Sequence, residues 1–321
     1  MKKILLIGTS PAMLLEAILL SKKYRNIEIH EKSSSMGGSW KTRNFFEIKN
    51  VETGSHIFAP WRNRFIYNQC QNILKKKFKL RTYFLKPAPS NIVNHNLKKK
   101  EESKIRYFYV KGGIEEILKF LKKKIKNLKI KVILNSNIRK ISLKKNIKKI
   151  YSNKGITYAD EVYLPEYCKL DFNNEKTFER RKSIHVLLEI LNKKKIKKKI
   201  SYVQKVNFSK IFDRLSNLSN IYNLKSNIYC LRLSRLGKEK FKKYKKNLIK
   251  ELSIDLIKFL NNKYDNNLKI RYKLHYYETS YREKKNLILF KKFIKKNKCR
   301  LVNTGEFIKY MSQNLKRLKS I

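Results

Sequence analysis

The opening of the chain carries two hydrophobic patterns that are separated by a turn. Lys3–Ile7 is a short continuous apolar run, which is typical of a strand buried on both faces of a parallel sheet. Gly8–Pro11 follows as a turn, and Ala12–Lys23 then has apolar residues at the spacing of an α-helix. A second apolar run, Ile27–His30, ends at Glu31. The pattern predicts a β–α–β unit whose two strands lie in one parallel sheet.

The later chain alternates between the same two patterns. A helix is predicted at Glu115–Lys126, and a strand follows at Ile130–Leu134. Further on, the pattern predicts four strands and one long helix, at His185–Ile190, Ile200–Val206, Ile228–Leu233, Ile270–Tyr277 and Lys238–Leu260. An antiparallel sheet with helices over it is the simplest architecture for this second group of elements.

The charge of the chain is far from balanced. Its 321 residues include 79 Lys and Arg but 24 Asp and Glu, which gives a net charge of +55 and a pI near 10.2. Such an excess suggests a nucleic-acid or anionic-membrane binder. The lysines are spread over the whole length, however, and Lys, Asn and Ile are abundant, as codons rich in A and T would give. Because no aromatic–basic alternation of the kind that stacks bases is visible, we expect no specific nucleic-acid partner. Peripheral association with an anionic membrane surface stays open.

Cysteine spacing and hydropathy argue against metal-binding, disulfide-rich and membrane-spanning proteins. The cysteines, Cys70, Cys168, Cys230 and Cys299, never form a CxxC pair, which argues against a metal site and against a disulfide framework. No apolar run approaches the roughly 18–20 residues of a membrane span. Gly8–Pro11 interrupts the first apolar run, which argues against a signal peptide. These features predict a cytoplasmic protein with no transmembrane span and no metal.

The predicted β–α–β unit has the chemistry of a dinucleotide site. A helix N-terminus offers unpaired amides and a positive dipole end to a pyrophosphate, and a glycine before it permits a tight turn. An acid at the end of the second strand can accept ribose hydroxyls, and Glu31 lies 23 residues after Gly8, close to the expected spacing of about 20. Where a full GxGxxG fingerprint has its second and third glycines, this chain has Ser10 and Met13. Ser10 is small enough for close approach, whereas Met13 is expected to push the helix away from the strand.

A glycine pair follows the acid. Met36–Thr42 (MGGSWKT) resembles the doublet after the ribose-binding acid in flavin amine oxidases, protoporphyrinogen oxidases, phytoene desaturases and UDP-galactopyranose mutases. In these families the glycines bring backbone amides against the FAD phosphates, and Thr42 matches a typical Thr or Ser. Ser35 and Ser39 stand where arginines usually flank the doublet. Gly54–Phe58 is similar to the glycine–histidine stretch near the flavin ring, above all in its mutase form.

The resemblance continues in order along the chain. Gly112–Gly113 looks like the double glycine before the second helix of the FAD-binding domain, and Ala159–Pro165 resembles the return of the chain to the sheet. Phe212–Ser216 resembles an arginine segment of the substrate domain. Arg300–Phe307 is similar to the closing segment near the ribityl chain, with Glu306 in place of the usual Asp.

The resemblance implies an α/β fold of the Rossmann-like NAD(P)/FAD-binding type. It divides the chain into a discontinuous FAD-binding domain at 1–165 and 297–321, with a parallel sheet, helices and a small three-stranded layer, and an inserted α+β substrate domain with an antiparallel sheet at 166–296. The implied cofactor is FAD. The implied cofactor-binding residues are Gly8, Ser10, Pro11, Ala12, Glu31, Lys32, Gly37, Gly38, Ser39, Trp40, Thr42, Gly54, His56, Gly305 and Glu306. No catalytic residue is assigned.

The implied activity is that of an FAD-dependent oxidoreductase of the flavin amine oxidase-like type, acting on a small-molecule substrate that can be anionic. Two alternatives stay open. The first is a redox-neutral flavin enzyme on a sugar nucleotide, similar to UDP-galactopyranose mutase, although the stretch between Phe58 and Gly112 is short for the mutase's helical substrate domain. The second is a non-catalytic, degenerate dinucleotide-binding protein that holds polyanions on a basic surface.

Overall fold

The fold is described from a computed structural model of the chain. The described residues are 1–40, 42–52, 58, 64–85, 107–144, 146–166, 179–191, 203–205, 212, 214–219, 227–233, 238–259, 270–281, 284–304 and 307–319. The strands, in chain order, are β1 (Lys3–Ile7), β2 (Asn26–His30), β3 (Arg43–Phe45), β4 (Ile48–Val51), β5 (Thr82–Leu85), β6 (Tyr107–Val110), β7 (Lys131–Ile133), β8 (Ile138–Lys144), β9 (Ile147–Ser152), β10 (Gly155–Ala159), β11 (Glu161–Pro165), β12 (Glu179–Ile190), β13 (Val203–Lys205), β14 (Arg214–Asn217), β15 (Asn227–Leu233), β16 (Ile270–Tyr281) and β17 (Arg300–Val302). The helices are α1 (Pro11–Leu20), α2 (Arg64–Lys76), α3 (Ile114–Asn127), α4 (Lys238–Phe259), α5 (Lys284–Lys296), α6 (Phe307–Gln313) and α7 (Leu315–Leu318).

Five strands form a parallel sheet in the order β17–β11–β1–β2–β7. The predicted β–α–β unit is confirmed, because α1 connects β1 to β2 and the two strands pair in parallel. β1 is the central strand, and its residues Ile4, Leu5 and Leu6 have no exposed surface. A strand with neighbours on both sides and cover on both faces needs such a continuous apolar run.

The helix α1 is buried along its whole length. All ten of its residues are buried, and it packs against α3 and α6. Pro11 occupies its first turn, where the fixed backbone angle of proline favours helix initiation. Met13 is accommodated within this core together with Ile4 and Leu6. Glu16 is the charged residue of this buried helix. Its carboxylate accepts hydrogen bonds from the side chains of Tyr310 and Arg317.

A small antiparallel layer covers the other face of the parallel sheet. Its strands are arranged in the order β10–β9–β8, as the resemblance implied. Ile141 and Ile150 of this layer pack with Leu5 and Val162 of the parallel sheet and with Phe290 of α5. The apolar inner face of the layer therefore completes a second core beneath β1.

A separate antiparallel sheet has the order β13–β14–β15–β12–β16. The four strands expected in this part of the chain are present with shifted ends, and the long helix α4 packs its apolar side on one face of the sheet. The strand β14 was not predicted, because a four-residue segment containing Arg and Asn gives no clear alternation. The described part of the chain is thus an α/β structure with a parallel sheet and several antiparallel sheets.

The cysteines of the described residues are mostly protonated at neutral pH. None of Cys70, Cys230 and Cys299 forms a disulfide bond. Burial raises the pKa of Cys70 and of Cys230 to about 12, and that of Cys299 to about 11, so the reactive thiolate form is scarce at neutral pH. Within the described ranges, no three His, Cys, Asp or Glu residues are grouped so as to hold a metal ion. Nor does any helix in the described part of the chain have the length and hydrophobicity to cross a membrane.

A buried ionic network joins β2 to its neighbouring strands. Glu28 Oε1 lies 2.6 Å from His30 Nε2, and His30 Nδ1 lies 2.7 Å from Ser136 Oγ. The second carboxylate oxygen of Glu28 lies 3.4 Å from Lys3 Nζ and 3.2 Å from Lys131 Nζ. The hydrogen bond with His30, and then the neighbouring lysine charges, hold the pKa of Glu28 at about 2, against an ordinary value of 4.5. The ionised carboxylate therefore stabilises the parallel sheet.

This network predicts a pH-dependent stability. Because the folded pKa of Glu28 is below its unfolded value, its contribution is fully present above pH 4.5 and is lost as the pH falls toward 2. Replacing Glu28 with Gln should lower the free energy of unfolding by about 2–3 kcal/mol near neutral pH. Urea denaturation of both proteins should show this difference shrinking toward zero across that acid range.

The control variant is Glu116→Gln. Glu116 pairs with Lys119 on the exposed side of α3, where such a pair contributes about 0.5 kcal/mol or less. A difference between wild type and Glu28→Gln that stays constant across the acid range would contradict the role given to the ionised carboxylate.

Candidate functional site

The chain diverges at the carboxyl end of β1. From β1 it continues to β2 and β7 on one side, and it later returns to β11 and β17 on the other side. Ligands of open α/β sheets bind at such a point, outside the carboxyl ends of the strands. Gly8 follows β1 there, and a Cβ added to it would lie 4.0 Å from Pro165, at the end of β11. The topology therefore selects the turn after β1 as the centre of a candidate site.

Glycine is required in this turn by its backbone angle. Gly8 has a φ of +89°, a backbone conformation that residues other than glycine rarely adopt. Its N–H donates to the carbonyl of His30 at 2.7 Å, which holds the turn against the end of β2. The chain then enters α1, whose first hydrogen bond runs from Leu14 N–H to the carbonyl of Ser10 at 3.0 Å. The N-terminus of α1 therefore lies at the edge where the ligand is expected.

The Glu31 carboxylate joins three segments of the site. It is buried, and its Oε2 accepts the N–H of Thr9 at 2.9 Å and the hydroxyl of Thr9 at 2.6 Å. Its Oε1 accepts the N–H of Ser33 at 2.9 Å. The Thr9 hydroxyl in turn accepts the N–H of Gly37 at 3.0 Å. One acid thus connects the turn after β1, the end of β2 and the glycine pair.

The glycine pair closes directly on the start of α1. Gly37 and Gly38 have φ values of +129° and +57°. A Cβ added to Gly38 would lie 3.2 Å from Ser10 Cα, closer than side-chain packing normally allows. The short helical turn Gly38–Trp40 follows, with the Trp40 N–H bonded to the Gly37 carbonyl at 3.0 Å. Here the absence of a side chain permits the close approach of two backbone segments.

The N-termini of α1 and α3 differ in their electrostatics. The first turn of α1 contains no acid, and Ser10 Oγ is buried with no hydrogen-bond partner among the described residues. At α3, by contrast, Glu52 accepts the N–H of Ile114 at 2.9 Å, and Glu115 and Glu116 lie in the first turn. Carboxylates therefore already satisfy the positive end of α3, whereas α1 keeps its amides and an unsatisfied hydroxyl for an anion.

The remaining residues of the predicted site differ in burial and in the element to which they belong. Pro11 and Ala12 are buried in the first turn of α1, Lys32 is exposed, and Ser39 belongs to the short turn after the glycine pair. Trp40 packs edge-on against Phe307, with ring centroids 5.3 Å apart. This contact joins the glycine-pair segment to the start of α6.

Thr42 is directed toward α3. Its hydroxyl lies 3.2 Å from Glu115 Oε2 and 3.4 Å from Asn50 Oδ1. Four other predicted site residues, Gly54, His56, Gly305 and Glu306, lie outside the described residues. The described centre of the site is therefore formed by the turn after β1, the end of β2 and the glycine pair.

Sequence reasoning missed Thr9 and Ser33. Both bind the Glu31 carboxylate, and Thr9 has no exposed surface. Thr9 lies 22 residues from Glu31 in the chain, and nothing in the sequence pairs a turn threonine with a distant acid. Its need for a partner follows from its burial, which the sequence does not show, so no sequence signal points to it.

Known proteins resemble this chain in fold and not in sequence. No family model matches the chain, and no curated protein matches its sequence. Its fold, however, is similar to that of a provisionally assigned protoporphyrinogen oxidase from Exiguobacterium sp. 255-15, with 10% identity, a TM-score of 0.64 and coverage of 99% of this chain and 98% of that one. It is also similar to a putrescine oxidase, with 10% identity, a TM-score of 0.60 and coverage of 100% and 99%. An oxidoreductase from Methanosarcina mazei has 13% identity and a TM-score of 0.56 over 88% of each chain. The chain therefore has the fold that these three proteins share.

Proposed function

We propose that the chain binds FAD at the N-terminus of α1 and acts as an FAD-dependent oxidoreductase of the flavin amine oxidase-like type. The observation that carries the proposal is the buried hydroxyl of Ser10, which has no hydrogen-bond partner among the described residues and lies at the start of a helix with no acid in its first turn. A buried polar atom without a partner costs free energy, and a bound phosphate oxygen removes that cost by accepting its hydrogen bond.

The residues around Ser10 fit the two polar parts of an adenine dinucleotide. The pyrophosphate would be held by the Ser10 hydroxyl and the N–H groups in the first turn of α1, with the backbone of Gly38 close by. Glu31 would hold the ribose. A carboxylate offers about four acceptor positions. The hydroxyl and N–H of Thr9 and the N–H of Ser33 use three of them, which leaves one for a ribose hydroxyl.

The chemistry itself would come from the cofactor. The redox step, removal of two electrons from a substrate, is supplied by the flavin when it is bound. The protein would contribute orientation and exclusion of water, for which the fully buried α1 and the closed glycine-pair segment are suited. The names of the structural neighbours, which include a putrescine oxidase and an oxidoreductase, support this activity over a redox-neutral or a non-catalytic role.

The first test of this proposal is flavin retention. Protein purified without added cofactor should be yellow, and heat or acid denaturation should release FAD that is identified by absorbance and chromatography. If the protein is colourless and also fails to take up added FAD, the proposed function is wrong.

The second test concerns Glu31. Replacing Glu31 with Gln keeps the size of the side chain but removes a charged acceptor, so binding of FAD should weaken by about 1.5–3 kcal/mol. Fluorescence titration of the apoprotein measures this, with ADP as a second probe that has the ribose but no flavin. Glu251→Gln, the same substitution at an exposed position of α4, is the matched control and should bind FAD as wild type does. Unchanged affinity in a folded Glu31→Gln protein would mean that the ribose lies elsewhere.

A further inference from the structure

The small three-stranded layer of β8, β9 and β10 has two faces that differ in burial. Side chains alternate between the faces along each strand, and direct partners on neighbouring strands share a face. The inner face carries Ile141, Ile150 and Ala159, which are buried and pack against the parallel sheet. The residues between them in sequence belong to the opposite face, which we call the outer face of the layer.

Apolar side chains are exposed on the outer face. Ile156 and Tyr158 of β10 are 52% and 54% exposed. Ile156 pairs directly with Tyr151 of β9. Ile147, which is 46% exposed, lies diagonally across from Tyr158, since Lys149 is the direct partner of Tyr158. Direct partners are about 4.5–5.5 Å apart and diagonal ones about 7–8 Å, so these side chains form one patch. A contiguous exposed apolar patch marks an interaction surface, whereas scattered single residues do not.

Lysines lie between these apolar side chains. Lys149 is the direct partner of Tyr158, and Lys140 of β8 is the direct partner of Tyr151. The ammonium groups of Lys149 and Lys140 lie 5.1 Å and 5.9 Å from the ring centroid of Tyr151. Lys144 is exposed at the end of β8 on the same face. Strand pairing thus assembles a mixture of tyrosine, isoleucine and lysine from three separate strands.

The layer itself contains no acid that would offset these lysines. The segment 138–159, which forms all three strands, has seven Lys or Arg residues and no Asp or Glu. Asp160 follows directly, but its Oδ2 accepts the N–H of Lys3 at 2.6 Å, at the start of β1. Glu161, the next acid, forms ion pairs with Lys2 and Arg300. The outer face therefore has the charge that complements an anionic partner.

The combination of side chains on the outer face fits an anionic lipid bilayer. The negative surface potential of such a bilayer attracts lysines that lie close to it. Tyrosine is enriched at the level of the lipid head groups, and an aliphatic side chain can enter the boundary with the acyl chains. The stem of a lysine is apolar, so it can lie beside the isoleucines while its ammonium group reaches the head groups.

Two other partners fit the outer face less well. A single strand of nucleic acid needs aromatic rings on which its bases stack. Ile147 and Ile156 have no ring, and the Tyr151 ring already has two ammonium groups over it. A second copy of the chain in a symmetric dimer would present the same face and bring lysines against lysines, which repel one another.

We propose that the outer face of the layer attaches the protein peripherally to an anionic membrane surface. Ile147, Ile156 and Tyr158 provide its apolar contacts, and Lys140 and Lys149 provide its basic contacts. The proposal goes beyond the oxidoreductase function and does not depend on it, because no residue of the outer face belongs to the candidate cofactor site. The layer covers the face of the parallel sheet opposite to α1, so attachment leaves α1 on the side away from the membrane.

The test is co-sedimentation of the full chain with lipid vesicles at physiological ionic strength. One set of vesicles is phosphatidylcholine alone, and the other also contains about 30% phosphatidylserine. A Debye length of about 8 Å suppresses attraction by distant charges, which matters for a chain with a net charge of +55. We expect saturable binding to the anionic vesicles and binding about tenfold weaker, or less, to the neutral ones. Absence of binding to the anionic vesicles would overturn the proposal.

Two double variants of the outer face separate its apolar and basic contacts. Ile156→Thr/Tyr158→Thr leaves the net charge unchanged and keeps residues that favour strands, and its affinity for anionic vesicles should fall about tenfold. Lys140→Gln/Lys149→Gln should also lose about tenfold or more, because each lysine near the surface contributes about fivefold. Circular dichroism and thermal unfolding verify that both proteins are folded.

The matched control for charge is Lys75→Gln/Lys76→Gln. It removes the same charge from exposed positions at the end of α2, which packs in the core on the α1 side of the parallel sheet. This control should bind anionic vesicles as wild type does. Equal loss in the control and in Lys140→Gln/Lys149→Gln would mean diffuse attraction and would overturn the proposal. Unchanged binding of a folded Ile156→Thr/Tyr158→Thr protein would overturn it as well.

A fluorescence measurement tests insertion without removing the apolar contact. Tyr158→Trp keeps an aromatic ring on the outer face, and its emission should shift to shorter wavelength with anionic vesicles, relative to wild type with its two native tryptophans. Leu128→Trp, at an exposed position after α3, should show no such shift. A shift that is absent from Tyr158→Trp, or equal in both variants, would contradict insertion by the outer face.

The other partners are tested with the same variants. If single-stranded oligouridylate binds more tightly than the anionic vesicles at this salt and both outer-face variants lose it, the partner is nucleic acid and the membrane proposal is wrong. If size-exclusion chromatography shows a dimer that Ile156→Thr/Tyr158→Thr dissociates, the outer face is an interface between copies and the proposal is equally wrong.

Discussion

The candidate site depends on one buried carboxylate. A carboxylate away from water is stable only when donors replace its hydration, and Glu31 obtains them from Thr9 and Ser33. The main chain of Glu31 is also fixed, since its N–H donates to the Ile133 carbonyl and its carbonyl accepts the N–H of Ser136. The Thr9 hydroxyl also accepts the N–H of Gly37. The acid therefore fixes the relative positions of the turn after β1, the end of β2 and the glycine pair.

The same requirement explains where this lysine-rich chain uses its acids. Among the described residues the buried acids include Glu16, Glu28, Glu161 and Glu189, and each of these four has a basic partner. A buried acid with a paired cation joins elements that hydrophobic packing alone would leave free to slide. Glu16 holds the C-terminal helices to α1, and Glu28 holds three parallel strands together. Among the described residues most lysines are exposed, where a charge costs little.

The parallel sheet and the five-stranded antiparallel sheet carry different polar groups. The parallel sheet presents a helix N-terminus, a buried hydroxyl and backbone amides, all suited to phosphate groups that approach the backbone closely. The antiparallel sheet presents guanidinium groups on a half-buried face. The β3–β4 hairpin contacts both parts of the structure, since it follows the glycine pair and receives Arg271 and Lys273.

The sequence by itself determined the elements whose signals are local. The apolar run of β1, the helical spacing of α1 and the position of Glu31 suffice for the β–α–β unit, and the glycine pair suffices for a turn after it. Tertiary structure alone decided the contacts between distant residues. Thr9 meets Glu31 across 22 residues, Gly38 meets the backbone of Ser10, and Arg214 meets Arg232 only because β14 and β15 pair in one register. Periodicity reports the face on which a side chain lies, but the pairing of strands and the burial of charge arise from packing of the whole chain, which no local pattern encodes.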